Sequence, residues 1–299
     1  MNENQKLIHR ILALHYVFPV PLNRLMPLLE VNPELLSVEK MSTHQLSRLL
    51  KLSYERTTKL KNSYMKSLET PLILAYKKHN ITPILFNQPN FPKQLLSLYD
   101  PPTVLYARGR VEYLAQKLFV AVIGSREATV YSKNAMNFII PPLVKHHVVI
   151  VSGLAKGADA MAHLSTHELG GQTIGVLGHG LFHQYPKENI PLYDIMESSH
   201  LLVTEYPPYV TPKKWTFPMR NRIISGLSQA VVVTEAREKS GTVSTMMHAI
   251  DNGKDVYCVP GPITSNLSVG PHKLLIEGAK PLWNGYQLIQ DLKENIHQN

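Results

Sequence analysis

Six apolar runs rich in β-branched residues succeed one another at 118–124, 148–153, 173–178, 201–206, 230–236 and 255–261, and helix-length segments fill the gaps. Near-continuous runs of this kind belong to strands covered on both faces, because a strand with one wet face alternates apolar and polar residues. Buried strands alternating with helices leave one architecture, an α/β doubly wound, mostly parallel sheet. That pattern places the main domain at 118–292 and leaves 293–299 as a tail.

The N-terminal segment reads differently. Residues 1–66 form a small helical domain: Leu7, Ile8, Ile11 and Leu12 fall at helical spacing, as do Leu46, Leu49 and Leu50. Prolines at 19, 21, 27 and 33 divide it into short helices. Residues 67–117 are a transition that extends the sheet domain, with a helix at Leu72–His79, an apolar run at Ile81–Phe86, a Pro-rich loop and a strand at Thr103–Tyr106. The basic residues Arg48, Lys51, Arg56, Lys59, Lys61 and Lys66 suit a solvated helix face or a nucleic-acid backbone.

Net charge +9 and pI near 9.4 point to an anionic partner. The single Cys258 excludes an internal disulfide framework and fits a reducing compartment. The opening MNENQKLIHR has no apolar leader core, and no stretch approaches the roughly 20 apolar residues of a membrane span. A cytoplasmic protein without membrane contact is expected.

Ligands of open α/β sheets bind outside the carboxyl ends of the strands. The loops there carry Gly124-Ser125-Arg126, Ser152-Gly153 with Lys156 and Asp159, Gly178-His179-Gly180, the segment Phe217–Ser228, and Arg237–Thr242. Glycine lets backbone approach a phosphate, and a helix start offers free N–H donors. Arg126, Lys156, Arg220, Arg222 and Lys239 come from four loops yet converge on one edge. Arg220 and Arg222 stand at the start of an apolar-faced helix, the end whose dipole favours anions. The alternative for each glycine is a plain strand-to-helix turn, which suits Gly178 and Gly180.

Neither G-x-G-x-x-G nor G-x-x-x-x-G-K-[ST] occurs, which argues against a dinucleotide or ATP cofactor and for a polymer of phosphates. No cofactor is expected. His163 and His167, like His179 and His183, are four apart, but no H-E-x-x-H is present and no metal is expected. Ser152 and Ser225 lack the G-x-S-x-G elbow. Cys258 falls late in a strand run and reads as core. Asp159 reads as an acid compensating a helix dipole. Glu205 and Glu235 end strand runs at the same edge and suit an acid pair or, in a basic site, ion-pair partners that orient the arginines.

The segments VAVIGSREAT (120–129), VSGLAKGADAMAH (151–163), TEYPP (204–208), FPMRNRIISGLS (217–228), EAREKSGT (235–242) and PGPITSNLSVGPHKLLIEGAK (260–280) resemble the DprA/Smf family of DNA-processing proteins. The upstream pattern Phe91, Pro92, Leu95, Asp100, Pro101, Pro102, Leu105, Tyr106 and Gly109 is similar too. The resemblance covers roughly residues 80–283. It implies an extended Rossmann-like fold in a protein of natural transformation. Such a protein binds incoming single-stranded DNA independently of sequence, protects it, helps load RecA recombinase, and forms a homodimer through the Rossmann-like domain. The implied DNA pocket comprises Arg126, Lys156, Arg220, Arg222 and Lys239. Gly124, Ser125, Ser152, Gly153, Asn221, Ser240 and Gly241 complete the expected contacts. Phe217 or Tyr206 is expected as a platform for bases.

The N-terminal helices resemble the family's sterile-alpha-motif-like or helix-hairpin-helix-like domain only weakly. The winged-helix-like C-terminal domain of some members is expected to be absent. A related group of phosphoribohydrolases carries PGGxGTxxE, whose glutamate acts on the substrate; Thr245 falls at that place here. No catalytic residue is therefore expected, and the alternative is hydrolysis of a nucleoside monophosphate.

Overall fold

The structure is a computed structural model describing residues 3–238, 249–250 and 253–297. Five helices lead: α1 (Glu3–Val17), α2 (Leu22–Val31), α3 (Thr43–Leu50), α4 (Tyr54–Leu68) and α5 (Leu72–Lys78). The strands are β1 (Thr82–Leu85), β2 (Val104–Gly109), β3 (Phe119–Ile123), β4 (Val149–Ser152), β5 (Thr173–Val176), β6 (Leu201–Thr204), β7 (Ala230–Val233), β8 (Asp255–Cys258) and β9 (Lys280–Pro281). The intervening and closing helices are α6 (Val130–Lys145), α7 (Ala158–Glu168), α8 (Ile190–Ser199), α9 (Thr216–Leu227), α10 (Val269–Ile276) and α11 (Gly285–His297).

All nine strands join one sheet in the order β1-β2-β6-β5-β4-β3-β7-β8-β9. From β6 to β9 every neighbouring pair is parallel, whereas β2 runs antiparallel to β6 and β1 antiparallel to β2. The extended Rossmann-like architecture is thus present. The transition segment supplies two strands of the same sheet. Pro83 and Pro281 lie in the two edge strands, where a missing N–H blocks further pairing.

Strand β3 displays why the apolar runs were continuous. Phe119, Ala121 and Ile123 pack on one face with Ile223, Ile224 and Leu227 of α9, while Val120 and Val122 pack on the other with Met136, Ile139 and Ile140 of α6. Both faces are dry, so both sets of alternate residues must be apolar.

The N-terminal helices do not stand apart from the sheet. Leu12, Leu25 and Leu28 share a buried cluster with Tyr106, Leu192, Tyr193 and Leu202. His15 Nδ1 bonds the Tyr106 hydroxyl at 3.0 Å, the Thr103 hydroxyl donates to Val20 O at 2.9 Å, and Leu22 N donates to Pro101 O at 2.7 Å. Burial holds His15 neutral, its pKa lowered to about 3. Locally, α3 starts with a reciprocal capping box between Ser42 and Gln45, and α4 is capped by Ser53. The expected boundary at 66 falls inside α4, and the expected tail is helical as far as His297.

Candidate functional site

The chain winds outward from β3 through β4, β5 and β6, then returns to the other side of β3 to lay down β7 and β8. The crevice beyond the ends of such central strands is where the loops diverge and leave space. Two joined hollows of about 280 and 390 Å³ occupy it, sharing Arg126, Ala155, Phe217 and Arg220. The loop after β3 adds Gly124 and Ser125, the loop after β4 adds Lys156, the first turn of α7 adds Asp159, and the approach to α9 adds Lys214. Asn221 lines the wider hollow.

Phe217 lines both hollows. It is half-buried, with the Arg126 guanidinium 5.8 Å from its ring centroid and the Tyr185 ring 5.5 Å away on a tilt of 37°. Arg126 is exposed, and no carboxylate pairs with it among the described residues. Its loop is held firmly: Ser125 N donates to Glu235 O at 2.6 Å, and Ala158 N donates to Ser125 O at 3.1 Å. Gly157, at φ +73°, passes so close to the Ser125 and Arg126 backbone that a side chain would overlap it.

Arg220 forms the floor. It is buried, donates to Val176 O through Nη1, and crowds Gly153 together with the Asp159 carboxylate, so that a methyl group there would overlap both. Burial pushes the Asp159 carboxyl above its usual range against the pull of Arg220, and burial likewise lowers the Arg220 pKa. Two of the rim cations are already paired. Lys156 bonds Glu188, and Arg237 Nη2 lies 2.6 Å from Glu127 Oε2. Both pairs are exposed, so they exchange readily and contribute little to stability.

Several expected contacts lie elsewhere. Helix α9 begins at Thr216, so Arg220 and Arg222 fall in its second turn, past the N–H groups that carry the dipole's positive end. Residues two apart on a helix point about 200° from each other, so both cannot face the crevice. Arg222 turns away and is buried in a 2.5 Å ion pair with Glu205. Ser152 is buried, its hydroxyl donating to Val122 O at 2.6 Å. Tyr206 is 5 % exposed and packs edge-on to Trp215, whereas Phe217 lines both hollows. Glu235 orients no arginine: its carboxylate accepts from Thr129 N at 2.7 Å, from the Thr129 hydroxyl and from the Ser132 hydroxyl. It thereby sits at the positive end of α6. Lys239, Ser240, Gly241 and Thr245 lie outside the described residues.

The histidines have ordinary partners. His163 bonds Thr173 Oγ1 and Gly153 O, with burial lowering its pKa to about 4; His167 bonds His200, and His179 bonds the Tyr193 hydroxyl. Among the described residues no three His, Cys, Asp or Glu side chains gather as a metal site would require. Cys258 is buried, and burial raises its thiol pKa to about 12, far from a nucleophile's range. No described helix is long and apolar enough to cross a membrane. Tyr185 was missed from sequence because it sits in an irregular loop after β5 with no phosphate-binding pattern around it. Lys214 lies in the long stretch between β6 and α9 and was not singled out there as a contact.

Residues 82–293 match the model of the family described as DNA recombination-mediator protein A. The chain is 40% identical over 223 residues to the DNA processing protein DprA of Bacillus subtilis, covering 75% of each. It is 36% identical over 234 residues to the protein Smf of Escherichia coli, covering 78% of this chain and 62% of that one. The solved DprA of Streptococcus pneumoniae superposes with a TM-score of 0.70 at 32% identity, covering 83% of this chain and 90% of that one. The DNA processing protein A of Helicobacter pylori, solved to describe its single-stranded DNA binding mode, superposes with a TM-score of 0.65 at 31% identity, covering 72% and 96%. The motifs, the sheet order and these relatives agree, and the chain belongs to the DNA recombination-mediator protein A (DprA/Smf) family of DNA-processing proteins.

Proposed function

We propose that the crevice binds single-stranded DNA without regard to sequence. The observation that carries this reading is the group Arg126–Phe217–Tyr185 at a groove that Lys156, Lys214 and Arg237 also line. It sets a phosphate partner beside rings on which any unpaired base can lie. Base–aromatic stacking tolerates every base because each has a π-face, and a groove of cations tracks the backbone. Paired bases in a duplex cannot lie on Phe217 without being pulled from their stack. The Helicobacter pylori relative supports the same ligand.

With about four to six phosphates neutralised, log affinity for oligo-dT falls with log salt at a slope of about −3 to −4. Fluorescence anisotropy across a salt series measures this, with duplex competitors in the same titration. Salt-insensitive binding, or equal competition by duplex, would overturn the reading. The finer roles go with it: protection of the incoming strand, loading of RecA recombinase and action as a homodimer in the cytoplasm. Nuclease protection, RecA filament nucleation on coated strands, and light scattering test the first three.

The rim ion pairs yield a separate expectation. Glu188 holds Lys156 in the free protein, so a phosphate arriving there displaces a carboxylate rather than a salt ion. Glu188→Gln is expected to tighten oligo-dT binding about three- to fivefold at low salt and to steepen the salt slope by about 0.7. Unchanged affinity and slope would mean that Lys156 takes no part.

A further inference from the structure

Beyond the crevice, the loop that carries Tyr185 leads back to Phe182, which is 49 % exposed. The Phe182 ring meets His79 edge-on, centroids 4.8 Å apart. His79 closes α5, whose last turn holds the exposed Lys77 and Lys78. Alongside stands Tyr209, 42 % exposed, its ring 4.8 Å from Tyr16 of α1. These rings rest on a fixed support. Gly180 N donates to Val210 O at 2.8 Å, Phe182 N donates to Pro208 O at 3.0 Å, and the Tyr209 hydroxyl donates to Tyr16 O. The loops at 180–183 and 207–210 are therefore tied to each other and to the N-terminal helices.

Large aromatic side chains normally gain by burial, and exposed rings held rigidly next to lysines have the chemistry of a stacking surface for an unpaired strand. Continuity selects the occupant: Tyr185 and Phe182 belong to one loop, and Tyr185 already stacks on Phe217 inside the crevice. We propose that a single strand leaving the crevice at Tyr185 continues over Phe182 and Tyr209 to the basic end of α5. The N-terminal helical unit then forms the second half of the DNA path. This rests on the crevice being a single-strand site.

The test uses the full chain with oligo-dT of about 5 and about 15 nucleotides, within the range of lengths that single-strand grooves hold. One variant is Phe182→Ala, and the other combines Lys77→Glu with Lys78→Glu. Each is expected to bind the short strand like the wild type and the long strand about tenfold more weakly, with an unchanged thermal midpoint. Wild-type affinity for the long strand in both variants would overturn the path and leave the crevice reading standing. That result would also leave the aromatic surface to a protein partner. Loss of short- and long-strand binding alike would place these residues in the crevice site and equally overturn the extension. A wild-type protein that binds neither strand would instead sink the crevice reading itself.

Discussion

Arg126→Glu is expected to weaken oligo-dT binding by about a hundredfold while leaving the protein as stable as the wild type. A hydrogen bond from a guanidinium to a phosphate contributes about 1.5–3 kcal/mol, and the reversed charge adds repulsion. Each 1.4 kcal/mol is about tenfold in affinity, so the two effects reach about two decades. Stability is spared because Arg126 is exposed and pairs with no described carboxylate. The loop's shape comes from the Ser125 and Ala158 backbone bonds, which the substitution leaves alone. Anisotropy and thermal melts on the same sample separate binding from folding. Binding within threefold of wild type would remove Arg126 from the site. Arg126→Lys tests the ring as well, since a lysine keeps the charge but not the flat guanidinium that lies over Phe217.

The central sheet was legible because a strand buried on both faces has no freedom to be polar, and the runs at 118–124 and 230–236 contain β3 and β7. The edges were less legible. β9 is two residues long, and a pair of residues has no period to read. Placement at the crevice was legible where loop position alone decides, as at Arg126 and Lys156. It was misread where two residues differ only in the face they present. Arg220 and Arg222 have the same chemistry, and their spacing does forbid a shared face, but which of them turns inward depends on where Glu205 stands, just past the end of β6. Glu235 was misread for a related reason. Its partners, Thr129 and Ser132, lie over 100 residues earlier, and only the pairing of β3 with β7 brings them near.

That reassignment of Arg222 leads to a large effect on stability. Arg222→Ala is expected to cost about 3–5 kcal/mol, because it leaves the Glu205 carboxylate buried without its partner. Burial already raises the Glu205 pKa, Arg222 opposes that rise, and Asp100 adds to it. Removing Arg222 removes the opposing charge, so the folded-state pKa climbs further. A carboxyl with a raised folded pKa binds more protons in the native state than in the unfolded chain. Stability then falls as pH rises from the unfolded value of about 4.3 through the folded one, so acidification returns part of the loss. Among the described residues Glu205 Oε1 and Arg222 Nε and Nη1 have no hydrogen-bond partner, so the pair satisfies its own polar atoms poorly. The double variant Arg222→Met with Glu205→Leu is therefore expected to recover most of the stability, as apolar replacements of buried pairs do. Urea titrations at pH 5 and pH 7 measure all three proteins. A single variant within 1 kcal/mol of wild type, or a double variant no better than the single, would refute the buried-pair account. Once folded, the double variant is expected to bind oligo-dT like the wild type. A folded double variant that had lost binding would return Arg222 to the DNA site.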